Sequence, residues 1–394
     1  MVREQYMKKI FVLSVGRSDY DRYYPIINEL NNNRKIDVLL YLSKVHQQKV
    51  FGRSIDYVDK KFKVIKKNYK KNNRRHSGTK SEITNNFSED LIFLSKEIKK
   101  RKPNLLIVLG DRYEMLIGPV AAAPYNIPVI HLFGGAVTEG ATDELVRHAI
   151  TKMSHFHFVA IDKYRKRLIQ MGEENWRIKK IGIHELKFLK NLKIIKKKYL
   201  SQKYKFNFFD PYLLVTYHPV TLELNKLDSQ LKSLAAAIKK LNINVIFTYP
   251  NADPGYNKII RFINKNFKDT KKYKIIKNAG SALYANLIRN SLAIVGNSSS
   301  GIVEAASFKK PTVNIGTRQN GKFMPRNVIN TGYSSKNILN GIKLALSKKF
   351  NKRIKNLSNP YESNTSIKKI VNIILNLKIN DKLLRKKFID KKWK

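Results

Sequence analysis

The chain has 394 residues, 42% of them hydrophobic, no cysteine, and 78 Lys and Arg against 29 Asp and Glu, a formal net charge of +49 at pH 7. That length holds two domains of ordinary size, the missing cysteines exclude disulfides and thiolate metal sites, and no apolar run approaches the roughly 18 residues of a membrane span. The charge raises nucleic acid as a partner, but the lysines are spread through every segment, densest at 60–75, 187–205 and 382–394, with no regular basic-aromatic repeat. A solvated basic surface that favours anionic ligands is the expectation, without a nucleic-acid partner. Residues 1–10 lack the apolar centre of a signal peptide, so a cytoplasmic enzyme is expected.

In chain order, residues 9–15 form an apolar run that closes on Gly16-Arg17-Ser18-Asp19, and residues 24–30 then take helical spacing: strand, turn, helix. Residues 36–42 repeat the strand pattern. The polar stretch 60–86, with His76, reads as a mobile loop, and 87–100 as an amphipathic helix burying Leu91, Ile92, Leu94 and Ile98. Residues 105–109, 129–132 and 156–160 are short apolar runs suited to parallel strands buried on both faces. A lysine-rich connection at 187–204 separates a second series, with strands at 212–216, 245–249, 273–276, 293–295 and 312–315 and helices such as 231–241 between them. Two parallel α/β domains facing one another follow, 1–186 and 187–394. The basic helical tail after Ile367 is expected to pack back on the first.

Ligands of open parallel sheets bind beyond the carboxyl ends of the strands. Gly110-Asp111-Arg112 leaves one strand there and His131 with Gly134-Gly135 leaves the next, followed by Thr138, Glu139, Asp143, Arg147 and His148. In the second half, His218-Pro219 and Pro250-Asn251-Ala252-Asp253 follow strands directly and aim His218, Asn251 and Asp253 at the cleft. Residues 296–301, GNSSSG, open a helix whose free N–H groups and dipole suit a phosphate, with Ser298 and Ser299 as hydroxyl donors. No Lys follows as in a P-loop, which disfavours a nucleotide-triphosphate enzyme. Glu304, one turn on, suits two ribose hydroxyls, and Arg318 adds a cation. No histidine pair shares a metal-ligand spacing with a carboxylate, so neither metal nor cofactor is expected. Plainer roles compete: helix capping for the serines, core histidines at His155 and His157, a surface ion pair for Glu144 and Arg147, an ordinary turn at 317–319.

As a set, these motifs resemble the hydrolysing UDP-N-acetylglucosamine 2-epimerases, which feed N-acetylmannosamine-type sugars into sialic and legionaminic acid synthesis. The resemblance covers roughly residues 8–375, through Gly16-Arg17-Ser18-Asp19-Tyr20, Gly110-Asp111-Arg112, the run DELVRHAITKM at 143–153, His218-Pro219, the cradle at 296–301 and residues 314–319. It implies a glycosyltransferase-B type architecture, two Rossmann-like doubly wound domains facing a central cleft, with a UDP-sugar held mainly by the second. The implied reaction removes the C2 proton while UDP leaves C1, giving a glycal, and then adds water to release the free 2-epimer. Asp111 and Asp143 take the catalytic positions. Arg17, Arg112, His218, Ser298, Ser299 and Glu304 take the nucleotide-diphosphate positions, with Asp19, Asn251, Asp253 and Arg318 completing the substrate set. A homo-oligomer is implied too.

Where the family usually has a catalytic Glu after the glycine pair, this chain has Ala136. Either Glu139, three residues on, supplies the carboxylate, or the chemistry has changed while the sugar-nucleotide site remains. Asp21 stands where the family often has a small residue, and Lys322 where it often has Arg. A non-hydrolysing epimerase, a glycosyltransferase of the same fold, and a non-catalytic sugar-nucleotide or polyanion-binding protein stay open, though the 143–153 run argues for the hydrolysing branch. UDP-N-acetylglucosamine and a 4-acetamido-6-deoxy analogue differ only where loops such as 43–48 and 135–142 touch them; residues 138–141 hint at the analogue.

Overall fold

The computed structural model describes residues 7–48, 53–68, 79–139, 142–251 and 253–390, without the side chains of Arg17, Ser18 and Lys80. The apolar runs form two parallel sheets. In the first, β1 (Lys8–Ser14), β2 (Ile36–Leu42), β3 (Lys63–Lys66), β4 (Leu105–Leu109), β5 (Val129–Leu132), β6 (Phe156–Val159) and β7 (Ile178–Lys180) lie in the order β3-β2-β1-β4-β5-β6-β7. In the second, β8 (Tyr212–Thr216), β9 (Asn244–Thr248), β10 (Tyr273–Ile276), β11 (Ala293–Gly296), β12 (Thr312–Ile315) and β13 (Val328–Thr331) lie in the order β10-β9-β8-β11-β12-β13. Every neighbouring pair runs parallel, with Ile10 opposite Leu105 and Ala293 opposite Leu213 at the two centres. Strand order reverses between β1 and β4, and again between β8 and β11. Those are the switch points of doubly wound sheets, where the ends of adjacent strands open a crevice.

Helices make the crossovers that parallel pairing demands. The first half has α1 (Arg17–Asn31), α2 (Lys80–Arg101), α3 (Ile117–Ala122), α4 (Asp143–Met153) and α5 (Asp162–Gln170). Next come α6 (Glu185–Asn191) and α7 (Lys197–Tyr204), so the lysine-rich connection is itself largely helical. The second half has α8 (Leu227–Lys239), α9 (Tyr256–Asn266), α10 (Gly280–Asn290), α11 (Ser299–Ser307), α12 (Ser335–Leu346) and α13 (Lys348–Ile354). Among the described residues no helix is long and apolar enough to cross a membrane.

The central strands are buried on both faces, which is why they read as unbroken apolar runs: Ile10, Phe11, Val12 and Leu13 of β1 are wholly buried, as are Leu105, Leu106 and Val108 of β4. The sheet edges corrected the sequence reading. Residues 60–86 are not one loop, for they hold β3 and the start of α2, while His76 lies outside the described residues. Edge strands bury little: of β3 only Ile65 is buried and of β7 only Ile178, so neither carries a core-strand signature. On α2, Leu94 and Ile98 are buried as expected, but Ile92 is 59% exposed and belongs to the outer face.

After α13 the chain returns to the first sheet. Helix α14 (Ile367–Leu375) places Ile370, Val371 and Ile374 in the core that contains β1, and Lys8 Nζ donates to the carbonyls of Ile374 and Leu377, each at 3.1 Å. The last turn, α15 (Asp381–Leu384), surrounds Arg177, whose wholly buried guanidinium donates to the carbonyls of Leu383 (2.7 Å), Lys382 (2.8 Å) and Arg385 (3.1 Å). Beside it, Glu173 and His157, both wholly buried, pair at 3.1 Å, and Lys386 reaches Glu173 at 2.9 Å. His157 is therefore part of the fold's interior. His155 is half-buried beside it, its Nδ1 accepting the Val129 N–H at 3.2 Å.

Candidate active site

The carboxyl ends of β4 and β5 and the start of α4 form one wall of a cavity of about 450 Å³. Gly110, at φ 74°, turns the chain sharply out of β4 and delivers Asp111. Arg147 of α4 holds it there. This guanidinium is wholly buried; Nε donates to Asp111 Oδ2 at 3.0 Å and Nη2 donates to the same oxygen. It also binds Thr138 Oγ1 (2.7 Å), Glu144 Oε2 (2.6 Å) and the Ala136 carbonyl (3.1 Å), tying the loop after β5 to α4. Burial alone would raise the pKa of Asp111. The Arg147 charge outweighs it, with help from Lys322 and Arg22, and holds the carboxyl down to about 2.

Asp143, the first residue of α4, lines the same cavity in the opposite electrostatic state. Burial pushes its pKa up, reinforced by the negative charges of Asp111 and Asp253, to about 7. One carboxylate is thus fixed in its ionised form and the other is poised to exchange a proton near neutrality. Lys322 completes the wall: its ammonium donates to Gln319 Oε1 at 3.0 Å, and burial draws its pKa down to about 8 against the opposing pull of Asp111.

The second sheet supplies an adjoining cavity of about 430 Å³, which shares Arg22, Arg112, Asn251 and Ser299 with the first. Asn297 pins the loop after β8, accepting the His218 N–H at 2.6 Å and donating to the His218 carbonyl at 2.8 Å. His218 Nδ1 accepts the Asn251 N–H at 3.3 Å, and burial keeps the ring neutral, so the remaining proton sits on Nε2 as a donor. Ser298 caps α11, accepting the Ser300 N–H at 3.4 Å, while Ser300 Oγ pairs with Tyr284 OH at 2.5 Å. The cap takes one N–H of the first turn and the Ser298 carbonyl accepts the Gly301 N–H at 3.2 Å, so the serines act here as the helix cap. Arg318 Nη2 donates to Asp253 Oδ2 at 3.2 Å and Nη1 to the Asn297 carbonyl at 3.3 Å.

The family model described as UDP-N-acetylglucosamine 2-epimerase matches residues 28–375, most of the chain. The chain belongs to this family. A relative in Campylobacter jejuni, "GDP/UDP-N,N'-diacetylbacillosamine 2-epimerase (hydrolyzing)", is 35% identical over 82% of this chain and 84% of its own length. A relative in Legionella pneumophila, "UDP-N,N'-diacetylbacillosamine 2-epimerase (hydrolyzing)", is 31% identical over 96% and 99%. Among solved structures, the Neisseria meningitidis UDP-GlcNAc 2-epimerase bound to UDP-GlcNAc aligns with a TM-score of 0.77 at 19% identity, over 93% of this chain and 99% of that one. The Methanocaldococcus jannaschii UDP-GlcNAc 2-epimerase in complex with UDP-GlcNAc and UDP aligns with a TM-score of 0.73 at 23% identity, over 94% and 99%. These likenesses place the two-sheet fold among the epimerase structures.

In this epimerase-family chain the expected site residues gather around the two cavities. Asp19, Arg112, Asn251, Asp253, Ser299 and Arg318 line the first with Asp111 and Asp143; His218, Ser298 and Glu304 line the second. The side chain of Arg17 lies outside the described residues. Glu139 is a correction. Its N–H donates to the Asn320 carbonyl at 3.1 Å, its side chain is exposed and passes beside Gly321, and it lines neither cavity. His131 is another: wholly buried, it bonds the Gly110 carbonyl at 2.8 Å and Thr151 Oγ1 at 3.2 Å, shaping the turn before Asp111.

Sequence reasoning missed Arg22, which lines both cavities and lies 3.5 Å from Glu185 and 3.8 Å from Glu304. Its signal was the three-residue spacing from Asp19, one helical turn along α1. Gly296 carries a separate expectation. At φ 139° a Cβ would collide with the Thr216 carbonyl across β8 and β11. Gly296→Ala is expected to cost about 1–3 kcal/mol in urea unfolding and to weaken nucleotide binding in calorimetric titration.

Proposed function

We propose that this chain is a hydrolysing 2-epimerase that converts a UDP-linked 2-acetamido sugar to the free 2-epimer and UDP. The observation that carries the reading is the junction of the two cavities. A carboxylate poised near neutrality, Asp143, stands beside a fixed anion, Asp111, in a space continuous with a diphosphate cradle through Arg22, Arg112, Asn251 and Ser299. Residues 1–186 supply the sugar side and residues 187–394 hold UDP. His218 Nε2, Arg112, Ser299 and the positive dipole end of α11 bind the diphosphate, whose leaving oxygen needs charge stabilisation as the C1–O bond breaks. Glu304 receives the ribose. Asp143 takes the C2 proton.

The sugar this reading favours is the N,N'-diacetylbacillosamine type. Hydrolysing relatives in Campylobacter jejuni and Legionella pneumophila carry that name. In addition, the first cavity has an apolar side made by Phe133, Ala136, Ala160, Tyr164 and Val303, which suits a 6-deoxy methyl and a second acetamido group. Incubation with each UDP-sugar in deuterated water, followed by proton NMR, is expected to give UDP and a free 2-epimer deuterated at C2, faster from the bacillosamine donor. A UDP-sugar product would instead establish the non-hydrolysing reaction. Because Asp143 acts ionised and its pKa is raised to about 7, kcat is expected to rise as pH climbs through about 7; a flat profile from pH 5 to 8 contradicts Asp143 as the base.

A further inference from the structure

The loop after β5 and the loop after β12 are interlocked. Besides the bond from the Glu139 N–H to the Asn320 carbonyl at 3.1 Å, Gly321, at φ 77°, lies so close to Val137 that any side chain there would collide with it. Ala136 immediately precedes this contact on one loop and Lys322 immediately follows it on the other, and both line the sugar-side cavity. Ala136 and Lys322 are therefore neighbours across one contact.

Among the described residues lining that cavity, the lysine and arginine cations are Arg22, Arg112, Arg318 and Lys322. A guanidinium does not release its proton in a protein. Each of the three has a carboxylate partner, Glu185, Glu114 and Asp253 respectively. The Lys322 ammonium has three donors and spends one on Gln319. It is the cation of this wall that can give a proton away.

We propose that Lys322 is the catalytic acid that returns a proton to C2, on the face opposite the one deprotonated, in place of the carboxylate absent at position 136. The inference rests on the hydrolysing reading. Asp143 takes the proton from C2, the C1–O bond breaks with its electron pair leaving on UDP, and the C1–C2 double bond of the glycal forms. Lys322 then protonates C2, water adds its oxygen to C1, and the water proton passes to the neutral amine, restoring the ammonium. Asp143 gives its proton to solvent, so the sum is UDP-sugar and water to free sugar, UDP and a proton. Burial, which draws Lys322 down to about 8, eases that donation while leaving the group charged at neutral pH.

Lys322→Arg keeps the charge and removes the transferable proton; Lys322→Gln removes both. With UDP titrated into each variant as the test of folding and nucleotide binding, both are expected to bind UDP, release UDP from the UDP-sugar, accumulate the glycal, and form the free 2-epimer about 10²-fold more slowly. The fall in wild-type kcat above about pH 8 is expected to vanish in Lys322→Arg. Full epimer formation by Lys322→Arg with that fall in place overturns the proposal, and so does loss of UDP binding in both variants, which would assign Lys322 to the nucleotide. A wild-type protein that forms neither UDP nor free sugar from either donor defeats the hydrolysing reading, and this inference with it.

Discussion

Asp143→Asn is expected to lower turnover by about 10³-fold and to leave UDP binding in place. The asparagine keeps the shape and hydrogen-bonding capacity of the side chain but cannot accept the C2 proton. In the proposed reaction that proton leaves in the first step, so glycal formation, UDP release and deuterium entry at C2 are all expected to slow together in the variant, a pattern opposite to the one expected for Lys322→Arg. The nucleotide should still bind, because the cradle belongs to the loops after β8 and β11 and to α11. Asp143 instead owes its state to burial and to Asp111 and Asp253. Asp111→Asn tests the same picture from the other side: with one negative neighbour gone, Asp143 ionises more easily and the rising limb of the pH profile moves to lower pH. An Asp143→Asn enzyme that still exchanges the C2 proton at the wild-type rate would remove Asp143 from the mechanism.

Arg147→Met is expected to cost about 3 kcal/mol in urea unfolding, the lower end for breaking a buried ion pair by removing one partner. The methionine fills most of the space, but Asp111 and Glu144 lose their shared cation, and the Ala136 carbonyl and Thr138 hydroxyl lose a donor. Asp111 is then free to follow the pull of burial, so its pKa rises from about 2. The cost should shrink when the orphaned charge is also removed. Arg147→Met with Asp111→Asn is expected to unfold at less than the sum of the two single costs, by the coupling that contact pairs show. Strict additivity would mean that Arg147 stabilises the fold without its bond to Asp111, through Glu144, Thr138, the Ala136 carbonyl and packing.

What the sequence made legible follows from how burial writes itself into a chain. Strands buried on both faces, such as β4 and β8, leave unbroken apolar runs, and their ends place Asp111 and His218 without further information. Edge strands leave almost nothing, because β3 and β7 each bury one side chain inside a lysine-rich background. Glu139 was harder to place for a different reason: where a loop side chain lies depends on the partner loop, here Gly321, beside which both Val137 and Glu139 lie, nearly two hundred residues away. The same long-range contact joins the loop that carries Lys322 to the loop that carries Ala136, a juxtaposition that neither loop's own sequence encodes. Arg22 was hidden by its ordinary position on a helix.

The packing of α14 and α15 against the first sheet bears on the order in which the chain acquires its structure. Arg177 is a buried cation whose carbonyl partners include three of the last described residues, and the core around β1 takes three side chains from α14. A ribosome delivers residues 1–186 long before it delivers either element. The half that emerges first therefore waits, with Arg177 held by Glu174 and the His155 carbonyl but short of its other carbonyl partners and with an uncovered apolar face on α1, until the last elements of the second half dock on it.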